Sequence, residues 1–311
     1  MRPRRRRARR AAAFLLGAGG DALLGDPPNV LHPVRAVGLL ARWYEARSRR
    51  ATHQRIAGLA GAVGIPIASG VIATVFETAR QSPGGRVVAA AATLALASAQ
   101  STLMRRALEV ADALDAGDLD DARRLLGYHL VSRETGDLSA GEVAGATIES
   151  VAENLGDGVA GPWLAFALAG SGGAWAYRAL NTLDSLWGYR SERYAEFGWA
   201  AARLDDLANL VPSRAAALAI CVGASGERGI RSAFDAWRRD RGLTDSPNAG
   251  QPMAAMAGAL GVTLTKRGHY ALGAGFRDAG AGDIRAAVVV ARRASLALAV
   301  LCLAVIAVRG R

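Results

Sequence analysis

The sequence predicts an all-α, polytopic membrane protein with about four to six membrane-embedded helical segments and cytoplasmic helical loops. Three observations carry that expectation. Apolar residues make up 51 % of the 311 positions and aromatics only 6 %, so helix packing has to rely on the abundant Ala and Gly. Uncharged stretches long enough to cross a bilayer recur along the chain. Charge is gathered into the segments between them instead of being spread as on a soluble surface. A single membrane-embedded catalytic domain over 11–311 follows, with a basic arm at 1–10 and an acid-rich helical insert at about 105–157.

The formal net charge is +11, and seven of the first ten residues are arginine. Outside that arm the chain is only mildly basic, so the expected partner is the bilayer, with the arm as a positive-inside anchor, and not nucleic acid. Segment 11–25 follows the arm as a secretion signal would. However, Asp21 interrupts it and it is short for a span. Arg35, Arg42, Arg47, Arg49, Arg50 and Arg55 follow it closely. Both flanks therefore ask for the cytoplasm, and the segment reads as interfacial or re-entrant.

Residues 56–76 are uncharged despite Pro66, and residues 87–104 form a second uncharged stretch after a short connection that holds Arg80 and Arg86. They read as a hairpin that leaves the cytoplasm and returns. The insert begins with two amphipathic helices broken at 116–118, and the acids at 118–121 suit a capped, solvated helix start. Segment 158–177 is uncharged but carries Pro162 and the run 170–173 of Gly and Ser. A single crossing there would place the arginine-bearing loop 178–206 outside, so a broken or re-entrant helical pair fits the charge better. Segment 207–226 is apolar except for Asn209 and Arg214, and 227–293 is polar and basic, with the chain's only lysine, Lys266. A final apolar helix covers 294–308, short for a span unless it starts earlier. Cys221 and Cys302 lie in apolar runs with no CxxC or Cys/His cluster, which suits buried structural thiols.

Candidate chemistry gathers in three places. In E-S-V-A-E-N-L-G-D-G, Glu149 and Glu153 share a helical face, and Asn154 and Asp157 extend the set. Such carboxylates can hold Mg²⁺ and position phosphate, or can line a solvated helix face. Tyr177, Asn181 and Asp184 form one stripe, flanked by Arg178 and Ser185 among apolar neighbours. Arg190 and Arg193, one turn apart, suit bidentate carboxylate or phosphate recognition. Asp205 and Asn209 again share a face, beside Arg203 and Asp206, where an ion-pair network is the plain alternative. Asp26 and His32 sit on a proline-stiffened turn, where a lone His is usually structural. Ser246–Gly250, with Asn248, is a turn before a small-residue helix that can approach a ligand or simply pack. There is no P-loop, no G-x-G-x-x-G after a strand, no HExxH and no GxSxG, so a nucleotide would need an atypical site of arginines and Mg²⁺-binding acids.

Several ordered blocks resemble one family: D-A-L-L-G-D-P-P-N-V-L-H-P-V, L-V-S-R-E-T, A-T-I-E-S-V-A-E-N-L-G-D-G-V, the run from Tyr177 to Arg214, and S-P-N-A-G-Q-P-M-A-A-M-A-G-A-L-G-V. Across nearly the whole chain the sequence is similar to the adenosylcobinamide-phosphate synthases of cobalamin biosynthesis (the CobD/CbiB family). Two departures are an Arg-rich start longer than expected and Met253 where the family often has an acid. The resemblance implies amide ligation of aminopropanol or its phosphate to the propionate carboxyl of adenosylcobyric acid, with ATP and Mg²⁺ and with corrinoid as substrate. It also implies the cytoplasmic membrane, a site facing the cytoplasm, and contact with other cobalamin-biosynthesis enzymes. Under it, Glu149, Glu153, Asn181, Asp184, Tyr189 and Asp205 are the catalytic candidates. Glu149, Glu153, Asp157 and Asp184 are the metal candidates, and Arg178, Arg190, Arg193 and Asn248 hold phosphate or the acidic edge of the corrin. An Mg²⁺-dependent intramembrane prenyltransferase and a membrane transporter are the alternatives that the residues alone leave open.

Overall fold

The computed structural model describes residues 3–25, 32–48, 50–189 and 191–309. In chain order its elements are α1 (Pro3–Leu24), α2 (Pro33–Ser48), α3 (Gln54–Thr78), α4 (Pro83–Ala97), α5 (Gln100–Asp115), α6 (Leu119–His129) and α7 (Ala140–Asn154). A π-helical turn (Leu155–Ala160) leads into α8 (Gly161–Trp187), α9 (Trp199–Ala208), α10 (Leu210–Gly223), α11 (Gly226–Asp240) and α12 (Gly250–Leu260). Three short strands follow, β1 (Val262–Lys266), β2 (Tyr270–Leu272) and β3 (Arg277–Asp278), and α13 (Ala281–Val308) ends the described chain. The all-α expectation holds. Three helical stretches among the described residues are long and apolar enough to cross a membrane: Gln54–Thr78, Pro83–Asp115 and Ala281–Val308. The shorter apolar helix Leu210–Gly223 joins them.

The chain divides into two compact units. The first comprises Met1–Ala99, Gly161–Asn209 and Leu301–Arg311. Within it α3 and α4 form the expected hairpin. Ser82 caps α4 by accepting from the Gly85 amide at 3.0 Å, with Pro83 in the first turn, a position where its missing N–H costs nothing. Small residues let the helices approach closely. A Cβ on Gly17 would stand 2.7 Å from the Ala91 carbonyl oxygen, and one on Gly70 would stand 2.7 Å from that of Gly172.

The Gly17 contact explains a difference from the sequence expectation. Segment 11–25 is not a separate interfacial piece. It continues the basic arm in one helix, and Gly17 opposite Ala91 and Leu94, with Gly20 opposite Ala95, sets α1 parallel to α4. The arm thus lies at the 79–86 end of this unit, while α2 packs at the other end, where the Tyr44 hydroxyl donates to the Ala57 carbonyl at 2.9 Å. Charge counting put both flanks on one side, but helix continuity and packing separate them.

The broken helical pair expected near 170 is present. Gly170 has φ 71 and ψ −156 inside α8, a conformation only glycine adopts readily. A Cβ on Gly173 would stand 2.4 Å from the carbonyl oxygen of Ala165, although eight residues of straight helix would separate them by about 12 Å. The arm 161–169 therefore folds back on 171–187. Trp163 donates to Ser98 Oγ at 3.0 Å and Trp175 to the Thr93 carbonyl at 2.9 Å, which satisfies both indoles in an apolar setting. The second arm runs antiparallel to α3 and ends at Trp187, against Phe197 and Tyr44.

The second unit comprises Gln100–Ala160 and Leu210–Val300. The predicted break at 116–118 is real. Gly117 has φ 76, and Asp118 caps α6 by accepting from the Asp121 amide at 2.9 Å. Helix α7 starts with a capping box of Ser139 and Glu142 and is buried on every face from Val143 to Ala152. The three-stranded sheet has order β2-β1-β3, with β1 antiparallel to β2 and parallel to β3. These strands differ from the all-helical expectation for this segment. The signal was present but short: Val262 and Leu264 are buried while Thr263 and Thr265 turn outward, a period of two over only five residues. The final helix starts at Ala281, earlier than expected, because Asp283 accepts from the Gly280 amide at 2.8 Å and pairs with Arg277. Cys221 and Cys302 are free and buried, as expected.

Candidate functional site

In each unit several of the sequence candidates gather into a polar cluster. In the second unit, α7 presents Glu149, Ser150 and Glu153 toward a cavity of about 180 Å³ that Leu130–Arg133, Lys266 and Tyr270 also line. Local hydrogen bonds fix its walls. Ser150 Oγ donates to the Leu130 carbonyl at 3.0 Å, and Thr135 and Arg123 hold the loop after α6 through backbone carbonyls. On the other wall, a tight turn with Gly268 at φ 75 makes Lys266 and Tyr270 a cross-strand pair. The three-residue loop with a left-handed glycine is a common hairpin solution. Arg267 within it pairs with Glu142 and with Asp137, which ties the hairpin to the start of α7.

Glu149 is the centre of this cluster. It is 6 % exposed, and its Oε1 is buried with no hydrogen-bond partner. Burial pushes its carboxyl up to about 7. Arg133, whose guanidinium reaches Oε2 at 3.5 Å, and the Tyr270 hydroxyl pull it down, while Glu153 pushes it further up. Tyr270 is near enough to act on that charge but leaves Oε1 unsatisfied. Burial first, then the two glutamates, drive the Tyr270 phenol strongly upward, so it stays a protonated donor. A buried, unsatisfied carboxylate oxygen beside a second carboxylate is suited to a proton or a hard cation.

In the first unit a hydrogen-bonded chain runs from α8 to α9. Tyr177 donates to Asn209 Oδ1 at 2.5 Å, and Asn209 Nδ2 donates to Asp205 Oδ2 at 2.9 Å. Asn181 donates toward Asp205, and Arg178 reaches Asn181 Oδ1 at 3.4 Å. Burial and then Asp184 raise Asp205 to about 7, while burial and Asp206 raise Asp184 to about 6. Like charges held close in a desolvated place share protons instead of both ionising. Gly188 makes room for Asp184, since a Cβ there would stand 2.1 Å from its Oδ1.

The sequence candidates are thus distributed. Glu149 and Glu153 come together, as do Arg178, Asn181, Asp184 and Asp205. Arg193 is engaged elsewhere: it forks onto Glu45 Oε1 at 2.5 and 3.2 Å, with the Tyr194 hydroxyl beside it. Tyr189 is half exposed, 6.5 Å from the Tyr194 ring. Asn248 is buried and accepts from Ser213 and Arg214. Asp157 lies in the π-helical turn, which packs on α10 with Gly156 close to Ser213. Glu149, Glu153 and Asp157 belong to the second unit and Asp184 to the first. Among the described residues no three His, Cys, Asp or Glu converge on a metal position. Asp26 and Arg190 lie outside the described residues. His32 Nδ1 accepts from the Val34 amide at 3.2 Å, and Met253 is buried.

Three cavity residues were not singled out by the sequence: Arg133, Lys266 and Tyr270. Signals existed for two of them. Arg133 stands in the L-V-S-R-E-T block and Lys266 is the only lysine.

Fold and clusters together define a class: a helical membrane protein with a cluster of carboxylates, amides and guanidinium groups in each of its two units. The model of the family described as CobD/Cbib protein matches residues 14–299, and this chain belongs to that family. A Geobacter metallireducens protein named cobalamin biosynthesis protein CobD is 44 % identical over 250 residues, 78 % of each chain. Proteins of the same name from Mycobacterium tuberculosis and Sinorhizobium fredii are 40 % and 38 % identical. The first match covers 94 % of each chain; the second covers 90 % of this chain and 91 % of the relative. No solved structure matches.

Proposed function

We propose that this protein works in cobalamin biosynthesis as an amide-forming ligase. It joins aminopropanol or its phosphate to the propionate carboxyl of adenosylcobyric acid, after ATP-dependent activation of that carboxyl, at the cytoplasmic face of the cell membrane. The observation that supports this most is the second unit's cavity, where two carboxylates face a guanidinium, a lysine and a phenol in a chain of this family.

A carboxylate and an amine do not condense at neutral pH without activation. The residues suit an activated, phosphorylated carboxyl. Glu149 and Glu153 would hold Mg²⁺, whose oxygen preference and usual complement of one or two carboxylates match this pair; the unsatisfied Glu149 Oε1 is the observation behind that fit. When bound, the cation neutralises charge developing on a transferring phosphoryl group. Arg133 and Lys266 bind phosphate oxygens from the protein side. Tyr270, held protonated, donates to an oxygen of the substrate.

The test is a mass-shift assay on membranes containing the protein, supplied with adenosylcobyric acid, ATP, Mg²⁺ and either aminopropanol or its phosphate. A corrinoid heavier by the amine less one water supports the reading and identifies the donor. An unchanged corrinoid with both donors, from protein shown to be folded, rejects it.

A further inference from the structure

The first unit holds a second cavity that this chemistry does not use. It is about 180 Å³ in volume and is lined by Arg6, Arg9, Arg10 and Arg86, with Glu77 as the one carboxylate. Glu77 Oε2 accepts from Ser171 Oγ at 2.7 Å, and that hydroxyl in turn accepts from Thr93 at 2.7 Å, so this acid is also committed to the reversal of α8. Gly170, at the reversal, lines the cavity, and a Cβ there would stand 3.4 Å from Arg10 Nη2. The missing side chain leaves the guanidinium its place. Arg309 extends the cluster: it donates to the Leu168 carbonyl, and its charge acts on Arg10. Burial, then Arg6, and to a lesser degree Arg309 disfavour the Arg10 cation, against Glu77 alone.

Four guanidinium groups around a confined space with one carboxylate make a strong positive potential. It is costly in the absence of an anion and attractive to one. The planar fork of arginine matches phosphate oxygens. Position adds to charge. Helix α3 ends at Thr78 and α4 begins at Pro83, and both belong to stretches able to cross a membrane. The cavity therefore lies where such helices meet headgroups, a setting in which basic pockets take acidic lipid.

We propose that this arginine-walled cavity, between the basic face of α1 and the α3–α4 turn, is a binding site for a phosphate-bearing anion. The ligand is the headgroup phosphate of an anionic phospholipid or a soluble phosphate. Arg10 and Arg86 grip it, while the outermost arginines of the arm add only long-range attraction.

The test uses the purified full chain in detergent, with the thermal unfolding midpoint followed as ligand is added at constant ionic strength. The ligands are phosphatidylglycerol, phosphatidylcholine and inorganic phosphate. Phosphatidylglycerol is expected to raise the midpoint saturably, and phosphatidylcholine is not. Arg10→Gln and Arg86→Gln each weaken the half-saturating concentration roughly tenfold, the order of one charge-assisted hydrogen bond. The exposed Arg4→Gln leaves it within about twofold, as a distant screened charge should. A shift by inorganic phosphate with the same dependence on Arg10 and Arg86 assigns the site to a soluble phosphate; a shift by phosphatidylglycerol alone assigns it to lipid. No shift with either anion overturns the proposal, and so does an Arg4→Gln loss as large as that of Arg10→Gln. Should Arg10→Gln fail to elute as folded protein, Arg86→Gln decides.

Discussion

Replacing Glu149 by Gln is expected to stabilise the protein above neutral pH and to abolish its activity. The carboxyl is pushed from its ordinary 4.5 to about 7. At 1.36 kcal/mol per pH unit that corresponds to roughly 3 kcal/mol. The sign follows from proton binding. Between these values the folded state holds a proton that the unfolded state releases, so stability is full below pH 4.5 and is lost as pH rises through 7. A glutamine in this place would carry no charge at any pH. The pull of Arg133 is already contained in the raised value, so the net gain at pH 8 stays at about 3 kcal/mol. For a chain of this size that is roughly 5 °C in the unfolding midpoint. Wild type and Glu149→Gln are compared in detergent from pH 5 to 8.5 with EDTA present, so that only protons compete for the carboxylate. The difference between them isolates Glu149 from other acids, such as Asp240, which Arg239 holds low. Added Mg²⁺ raises the wild-type midpoint and leaves the variant unmoved. A variant less stable at pH 8, or a midpoint difference that does not grow with pH, refutes the reasoning; retained activity refutes the assignment of Glu149.

Lys266→Met should reduce corrinoid ligation at least tenfold with the unfolding midpoint changed by no more than about 1 °C, because its charge faces a cavity and not the core; a parallel loss of stability would make its role structural. Tyr177→Phe removes the donor to Asn209 inside the α8–α9 cluster, at a cost of about 1–2 kcal/mol, read as a lower midpoint; an unchanged midpoint would mean that the chain of hydrogen bonds holds nothing. Gly170→Ala forces a Cβ into φ 71, costing about 1–2 kcal/mol, and weakens the fold-back of α8; equal stability and yield would show that the reversal does not need glycine.

The candidate site was legible where chemistry and helical spacing coincide. Glu149 and Glu153 fall one turn apart on α7, so spacing alone put them on one face, and the structure puts that face on a cavity. The stripe of Tyr177, Asn181 and Asp184 was visible for the same reason, and α9 completes it with Asp205 and Asn209. Arg193 shows the limit. One-turn spacing from Arg190 marked it as a phosphate ligand, but Glu45, far away in sequence, takes its guanidinium. Local spacing says which groups share a face and is silent on what the facing element brings.

The sequence by itself determined the helical membrane class, the hairpin of α3 and α4, the break before α6 and the reversal near Gly170. Each depends on local properties: uninterrupted apolar length, a cap, or a glycine where the backbone turns. Tertiary structure alone decided that α1 lies along α4 and carries the basic arm with it, because the close approach of Gly17 to Ala91 is made by a partner helix. It also decided that Arg133, Lys266 and Tyr270 meet Glu149. A hairpin of a few residues has too short a period to be recognised in a sequence, and its docking on α7 depends on packing and on the pairing of Arg267 with Glu142. The raised carboxyl of Glu149 belongs to the same level: desolvation is a property of the surrounding fold, and no residue carries it in its own identity.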